Sequence, residues 1–255
     1  MKATSMLSLK MLKREKFVFD KYYDDLKKEI NKKIKLIKKN KNLTTNTYKF
    51  IGEVKNKKPN GWGRLFDVNK KFPKPFRISY GYFTDGELNG PGYVQYGHPL
   101  IHIGHFKKNR LYGKGRVLYG TLNKKSKDKT FFGYEGEFKN GVLNGYGIEF
   151  SNFGAKVGLL KKGVKNPQIV FKGEWKSGEP NGKGINYYEG VMVCDGSWKN
   201  NYAHGECTIQ FYGKDTVNGI WRNGKLIKKI SEIGNPDAYT RHLFSKITKS
   251  MSNQD

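Results

Sequence analysis

The sequence predicts an all-β repeat protein: an elongated single-layer solenoid of consecutive antiparallel β-hairpins, with a unit of about 23 residues and an α-helix flanking it at each end. Three observations carry this expectation. Glycines recur at fixed offsets around an aromatic residue. Between them, aromatic and charged residues alternate with period two, the period of a strand. The composition, with 31 Gly, 16 Tyr and 16 Phe, suits many short strands and turns over a helical bundle.

The glycine pattern is clearest in FKGEWKSGEPNGKG. Around Trp175, glycines stand at 173, 182 and 184. The same offsets recur around Val54, Phe83, Phe106, Phe138 and Trp198, and in shortened form around Trp221. The anchors are 29, 23, 32, 37, 23 and 23 residues apart, so a 23-residue unit carries insertions of 6, 9 and 14 residues. A fixed period of this size signals a repeat architecture.

Within the fifth unit, Phe171, Gly173 and Trp175 alternate with Lys172, Glu174 and Lys176, which makes a strand with one ring face and one charged face. SGEPNG supplies turn residues and KGINYY a return strand. Gly173 leaves room for a neighbouring ring against the backbone, and Gly182 and Gly184 either do the same or supply positive φ. A phosphate loop is rejected, because it needs a helix N-terminus after the glycines and none follows. One hairpin is marginal alone, so neighbours must stack to bury the rings.

This pattern resembles the MORN (membrane occupation and recognition nexus) repeat over about Phe50 to Lys228. Departures are Val54 in the aromatic slot, Asn109 and Asn201 in the turn-glycine slot and Cys207 in the last glycine slot. The resemblance permits both protein and lipid partners, and self-association through the solenoid ends.

Three segments follow: 1–46 as a basic amphipathic helical segment, 47–228 as the solenoid, and 229–255 as a tail with a short capping helix. In the first, Phe19, Tyr23, Leu26, Ile30, Ile34 and Ile37 form one apolar stripe at helical spacing. The stripe packs on the first hairpin or in a coiled coil, or else lies on an anionic membrane. In the tail, Asn235 and Pro236 read as a helix start, with Tyr239, Leu243 and Ile247 one turn apart.

Charge narrows the partners. The formal net charge is +27, and residues 1–49 hold 15 basic against 5 acidic side chains. Such a surface draws anions: acidic protein, acidic lipid or nucleic acid. Arg supplies only 7 of the 49 cations, which argues against tuned base or phosphate reading. Nucleic acid therefore ranks last.

Catalysis is not expected. No nucleotide, nucleophile-elbow or metal motif is present, and the segments flanking the repeats are short. His102 and His105, three apart on a strand, fall on opposite faces. Cys194 and Cys207 occupy core slots of one hairpin and read as buried free thiols. Glu53, Glu137 and Glu174 share one repeat slot and read as partners of neighbouring lysines. No cofactor or metal is expected.

The functional expectation is a non-catalytic scaffold with a groove lined by Tyr134, Phe138, Phe171, Trp175, Trp198 and Trp221 for a protein partner. The alternative is a peripheral membrane protein that binds anionic phospholipids through Lys27, Lys28, Lys32, Lys33, Lys35, Lys38 and Lys39. The opening segment lacks a secretory apolar core, and its Lys-rich composition disfavours a mitochondrial presequence. Two cysteines do not make a secreted scaffold. A cytoplasmic location is expected, with association to membrane or cytoskeleton left open.

Overall fold

The computed structural model describes residues 21–37, 41–68, 76–96, 100–120, 131–151, 168–188, 191–210 and 216–233. Helix α1 spans Lys21–Lys35. Fifteen strands follow: β1 (Lys41–Thr44), β2 (Tyr48–Lys55), β3 (Lys58–Asp67), β4 (Arg77–Thr84), β5 (Glu87–Tyr96), β6 (Leu100–Lys107), β7 (Arg110–Gly120) and β8 (Phe131–Lys139), then β9 (Val142–Ser151), β10 (Gln168–Lys176), β11 (Glu179–Tyr188), β12 (Val191–Lys199), β13 (Tyr202–Gln210), β14 (Thr216–Arg222) and β15 (Lys225–Ile233). All lie in one open sheet in chain order. At about 4.8 Å per strand, fourteen steps make a sheet roughly 65 Å long.

The registers show what the glycines do together. Gly52, Gly63, Gly81, Gly92, Gly104, Gly115, Gly136, Gly147, Gly173, Gly184 and Gly196 stand opposite one another in turn, strand after strand. Cys207 and Gly219 continue the row. The two glycine sets of the repeat therefore form one seam across the sheet. A Cβ on Gly173 would meet the Cα of Gly184 at 2.5 Å, so two side chains do not fit side by side there.

Beyond the seam the register slips in each hairpin. Gly173 faces Gly184, but Trp175 faces Pro180, so the return strand bulges at residues 181–183. Gly182, at φ +118°, supplies the bulge geometry, whereas Gly184 leaves space that the Phe171 ring enters. The repeated glutamate sits opposite this bulge. Glu174 accepts a hydrogen bond from the Lys183 backbone N–H at 3.1 Å, and Glu53 accepts one from that of Trp62 at 2.6 Å. The expected lysine pairing is thus replaced by satisfaction of an N–H that the bulge releases.

The hairpin turns are two residues long. Ser177 and Gly178 have φ of 55° and 89°, the primed geometry that matches strand twist. The turn is narrower than SGEPNG, because Glu179 to Gly182 already belong to β11. At the turn-glycine slot Asn109 adopts φ 64° itself, and its Oδ1 accepts the Leu88 N–H at 2.8 Å. Turns also stitch units together: the N–H groups of Gly178 and Gly224 donate to the carbonyls of Leu143 and Ala203 in the preceding units.

One sheet face holds the main core. Phe50, Phe83, Phe106, Phe138, Trp175, Trp198 and Trp221 pack there with Leu88, Leu111, Leu143 and Ala203 from the return strands. This second row of aliphatic residues on the return strands is absent from the glycine–ring template. Cys194 and Cys207 lie in this core and are joined by a disulfide, not free as expected. Cys207 faces Gly196, which has no side chain, so its sulfur reaches the neighbouring Cys194 on the same face.

Helix α1 covers part of the opposite face. Tyr23, Leu26, Ile30 and Ile34 bury against Tyr93 and Ile103, with Trp62 and Tyr80 at the margin. The helix crosses β3 to β6, a wider footprint than the first hairpin. The Tyr93 hydroxyl donates to Asn31 Oδ1 at 2.8 Å, and the Arg116 guanidinium lies 4.5 Å from the Tyr23 ring centroid. The sheet begins at Lys41, within the segment expected to be helical, and extends to Ile233, past the expected end at 228. The predicted C-terminal capping helix and Phe19 lie outside the described residues.

Candidate interaction surfaces

The six rings expected to line a groove share one face, but most are not free. Phe138, Phe171, Trp175, Trp198 and Trp221 are at most 5% exposed, while Tyr134 is half-buried. They interlock edge to face: Phe171 lies 5.2 Å from both Trp175 and Trp198, and Tyr134 lies 5.9 Å from Trp175. The indole N–H of Trp175 donates to the Gly147 carbonyl at 3.1 Å, and that of Trp198 to Gly184 at 3.0 Å. Each tryptophan is thus pinned over the glycine seam of the unit before it. The free ring groove is corrected to a packed ring core, because the seam admits the rings fully.

The same face opens near the N-terminal end of the sheet. A cleft of about 410 Å³ is lined by Tyr48, Leu65, Asp67, Phe76, Arg77 and Ser79, among others, and reaches Phe83. Its cause is local. The slot two residues before the first glycine of each unit holds Phe50, His102, Tyr134, Phe171, Cys194 or Val217, but Ser79 in the second unit. Ser79 faces Leu65 on one side and Val94 on the other, so a small side chain stands where five units have a ring or branched group and the sixth has Cys194, which is joined to Cys207. The signal for it in the repeat alignment is the single serine in that slot.

Polar groups fix the mouth of the cleft. Arg77 Nε lies 2.9 Å from Asp67 Oδ2, and its Nη2 donates to Oδ1 at 3.2 Å, a two-pronged pair on adjacent strands. Phe76 is 53% exposed and lies edge-on to Tyr96, with ring centroids 6.3 Å apart. The arrangement offers an apolar floor, one fixed ion pair and an exposed ring. Those features suit a side-chain anchor of a partner.

Farther along the face, burial sets the charge states. It lowers the pKa of His102 to about 4, so this histidine is neutral at pH 7. The Tyr134 hydroxyl hydrogen-bonds to Glu149; burial, then the negative charge of Glu149, pushes its pKa up to about 12. Burial likewise raises Glu149 itself. His105 lies on the other face and is exposed, as strand alternation predicts. Among the described residues, no cluster of three or more His, Cys, Asp or Glu side chains is placed to hold a metal.

The lysines named for an anionic surface divide. Lys28, Lys32, Lys33 and Lys35 are exposed on α1, with Lys28 3.2 Å from Asp25. Lys27 is half-buried, its ammonium 5.1 Å from the Tyr93 ring centroid. Lys38 and Lys39 lie outside the described residues. The apolar stripe of α1 is already spent on the sheet, so it is not available to enter a bilayer. No helix among the described residues is long and apolar enough to cross a membrane.

The family model of the MORN repeat matches residues 134–153, 171–187 and 194–216. These stretches fall in the fourth, fifth and sixth units, and the glycine seam joins the other units to them in register. Comparison with curated proteins finds no match. The protein is MORN repeat-containing, and the MORN repeat is a non-catalytic module of protein and membrane interaction.

Proposed function

We propose that this MORN repeat-containing chain is an interaction scaffold whose protein partner docks on the ring face at the cleft between β2 and β4. One observation carries the reading: rings interlock in the later units, whereas in the second unit a cleft reaches Leu65 and Phe83 beside the small, buried Ser79. The partner inserts an apolar side chain over Leu65 and Phe83 and meets the Arg77–Asp67 pair at the rim. Turn hydrogen bonds tie each unit to the last, and ring contacts such as Phe171 with Trp198 add to them.

A photo-crosslinking amino acid at position 79 tests this. Placed there in the full chain, it is expected to capture a discrete protein partner from native cells, and Ser79→Trp should abolish co-purification of that protein. Co-purification that persists in Ser79→Trp, or capture that is equal from a crosslinker at position 183 on the opposite face, contradicts the reading.

A second reading is favoured by the exposed Lys28, Lys32, Lys33 and Lys35 of α1. Because the apolar stripe faces the sheet, attachment to an anionic bilayer would be electrostatic, without insertion. Phosphatidylserine vesicles should then pellet the protein at low salt and release it at high salt. Unchanged pelleting of a Lys28→Glu, Lys32→Glu, Lys35→Glu variant contradicts this role for the helix.

A further inference from the structure

The residue after each anchor ends the outgoing strand, so these side chains align along one long edge of the sheet. They are Lys55, Thr84, Lys107, Lys139, Lys176, Lys199 and Arg222. All but Thr84 are exposed, and among the described residues none of the cations is in an ion pair. The second unit interrupts the row with Asp85 and Glu87. From β6 to β14 the row is continuous. There the four-residue tips 107–110, 139–142, 176–179, 199–202 and 222–225 hold eight basic side chains against Glu179 alone.

Neighbouring tips are two strands apart, roughly 10 Å. That is close to the screening length of about 8 Å at physiological salt, so their fields merge into one positive rim. The rim is not flat. A twist of about 20° per strand turns it through roughly 160° over eight strand steps. A planar bilayer would meet only a few tips at once, whereas a flexible chain can follow all of them.

The cations that follow the anchors are lysines except Arg222, and of the five tips only 199–202 carries a ring, Tyr202. Regular base stacking is therefore not offered, and Lys lacks the fork that grips phosphate. A polyproline-II chain, with three residues per turn and about 3.1 Å per residue, returns every third side chain to the same side about 9 Å on, close to the tip spacing.

We propose that the hairpin-tip rim from Lys107 to Arg222 binds an extended Asp/Glu-rich segment of a partner protein, with a carboxylate at about every third residue facing one tip. This rests on the scaffold reading but uses a different edge from the Ser79 cleft. Cross-linking from position 79 reports on the cleft alone, so failure of either site is separable from failure of the other.

The test uses the folded full-length chain and a fluorescein-labelled fifteen-residue glutamate peptide, read by anisotropy at two salt concentrations. Binding should weaken at higher salt. Lys139→Glu, Lys176→Glu, Lys199→Glu should weaken it at least tenfold at unchanged melting temperature. Lys28→Glu, Lys32→Glu, Lys35→Glu on α1 should change it less than twofold. Absence of binding, equal loss in both variants, or tighter binding of a fifteen-nucleotide uridine RNA or of phosphatidylserine vesicles overturns the proposal.

Discussion

A methyl group on residue 184 would run into the ring of Phe171. Gly184→Ala should therefore destabilise the protein by about 1–3 kcal/mol, the usual cost of overpacking, read as a lower midpoint in urea. Nothing lies within 4 Å of a Cβ on Gly113, where only the positive φ of 74° opposes substitution. Gly113→Ala should cost about 1–2 kcal/mol through backbone strain alone. A second residue-scale effect concerns His102, whose folded pKa, about 4, lies below its unfolded value. Between pH 6.5 and 4 the unfolded chain binds the proton that the folded chain excludes, so the His102 contribution falls as pH drops. Burial raises Glu149, which binds its proton more readily when folded and so opposes this trend as pH falls. The difference in melting temperature between wild type and His102→Gln separates the two. Wild type should lose more stability than the variant on going from pH 7 to pH 4.5.

At the scale of the element, α1 shows what a periodic pattern conveys. The stripe Tyr23, Leu26, Ile30 and Ile34 was legible in the sequence, and these side chains are buried. Where the helix lands was not legible, because a sheet has two faces and the repeat template describes only the ring face. The receiving side chains Tyr80, Tyr93 and Ile103 occupy positions that the template leaves variable. Ile30 is fully buried between helix and sheet, so Ile30→Ala should cost about 2–4 kcal/mol and be seen as a lower urea midpoint. If α1 were a membrane-facing helix detached from the sheet, the same change would leave stability near wild type. The strand bounds were missed for a related reason: β1 and the end of β15 lack the glycine and ring signals that marked the other strands.

Across the whole molecule, the fold follows from a seam of glycines that lets rings of one unit lie on the backbone of the last. That much could be read from spacing. The union of both glycine sets into one row depends on the bulge, which offsets the return strand and is invisible in spacing alone. The same offset explains why the rings thought to be available are buried: they close over the seam instead of projecting from it. The disulfide escaped notice because composition spoke to compartment, whereas proximity of Cys194 and Cys207 follows from the register beside Gly196. The ring face carries a cleft beside Ser79. The sharpest comparison sets Trp198→Ala against Ser79→Trp, measuring for each the affinity of folded protein for the partner captured at position 79. The account predicts that Trp198→Ala lowers stability by about 3–5 kcal/mol yet leaves the affinity of folded molecules intact, while Ser79→Trp costs no more than the about 1–3 kcal/mol of overpacking and loses binding by folded molecules. Loss of binding in Trp198→Ala with wild-type affinity in Ser79→Trp would contradict it.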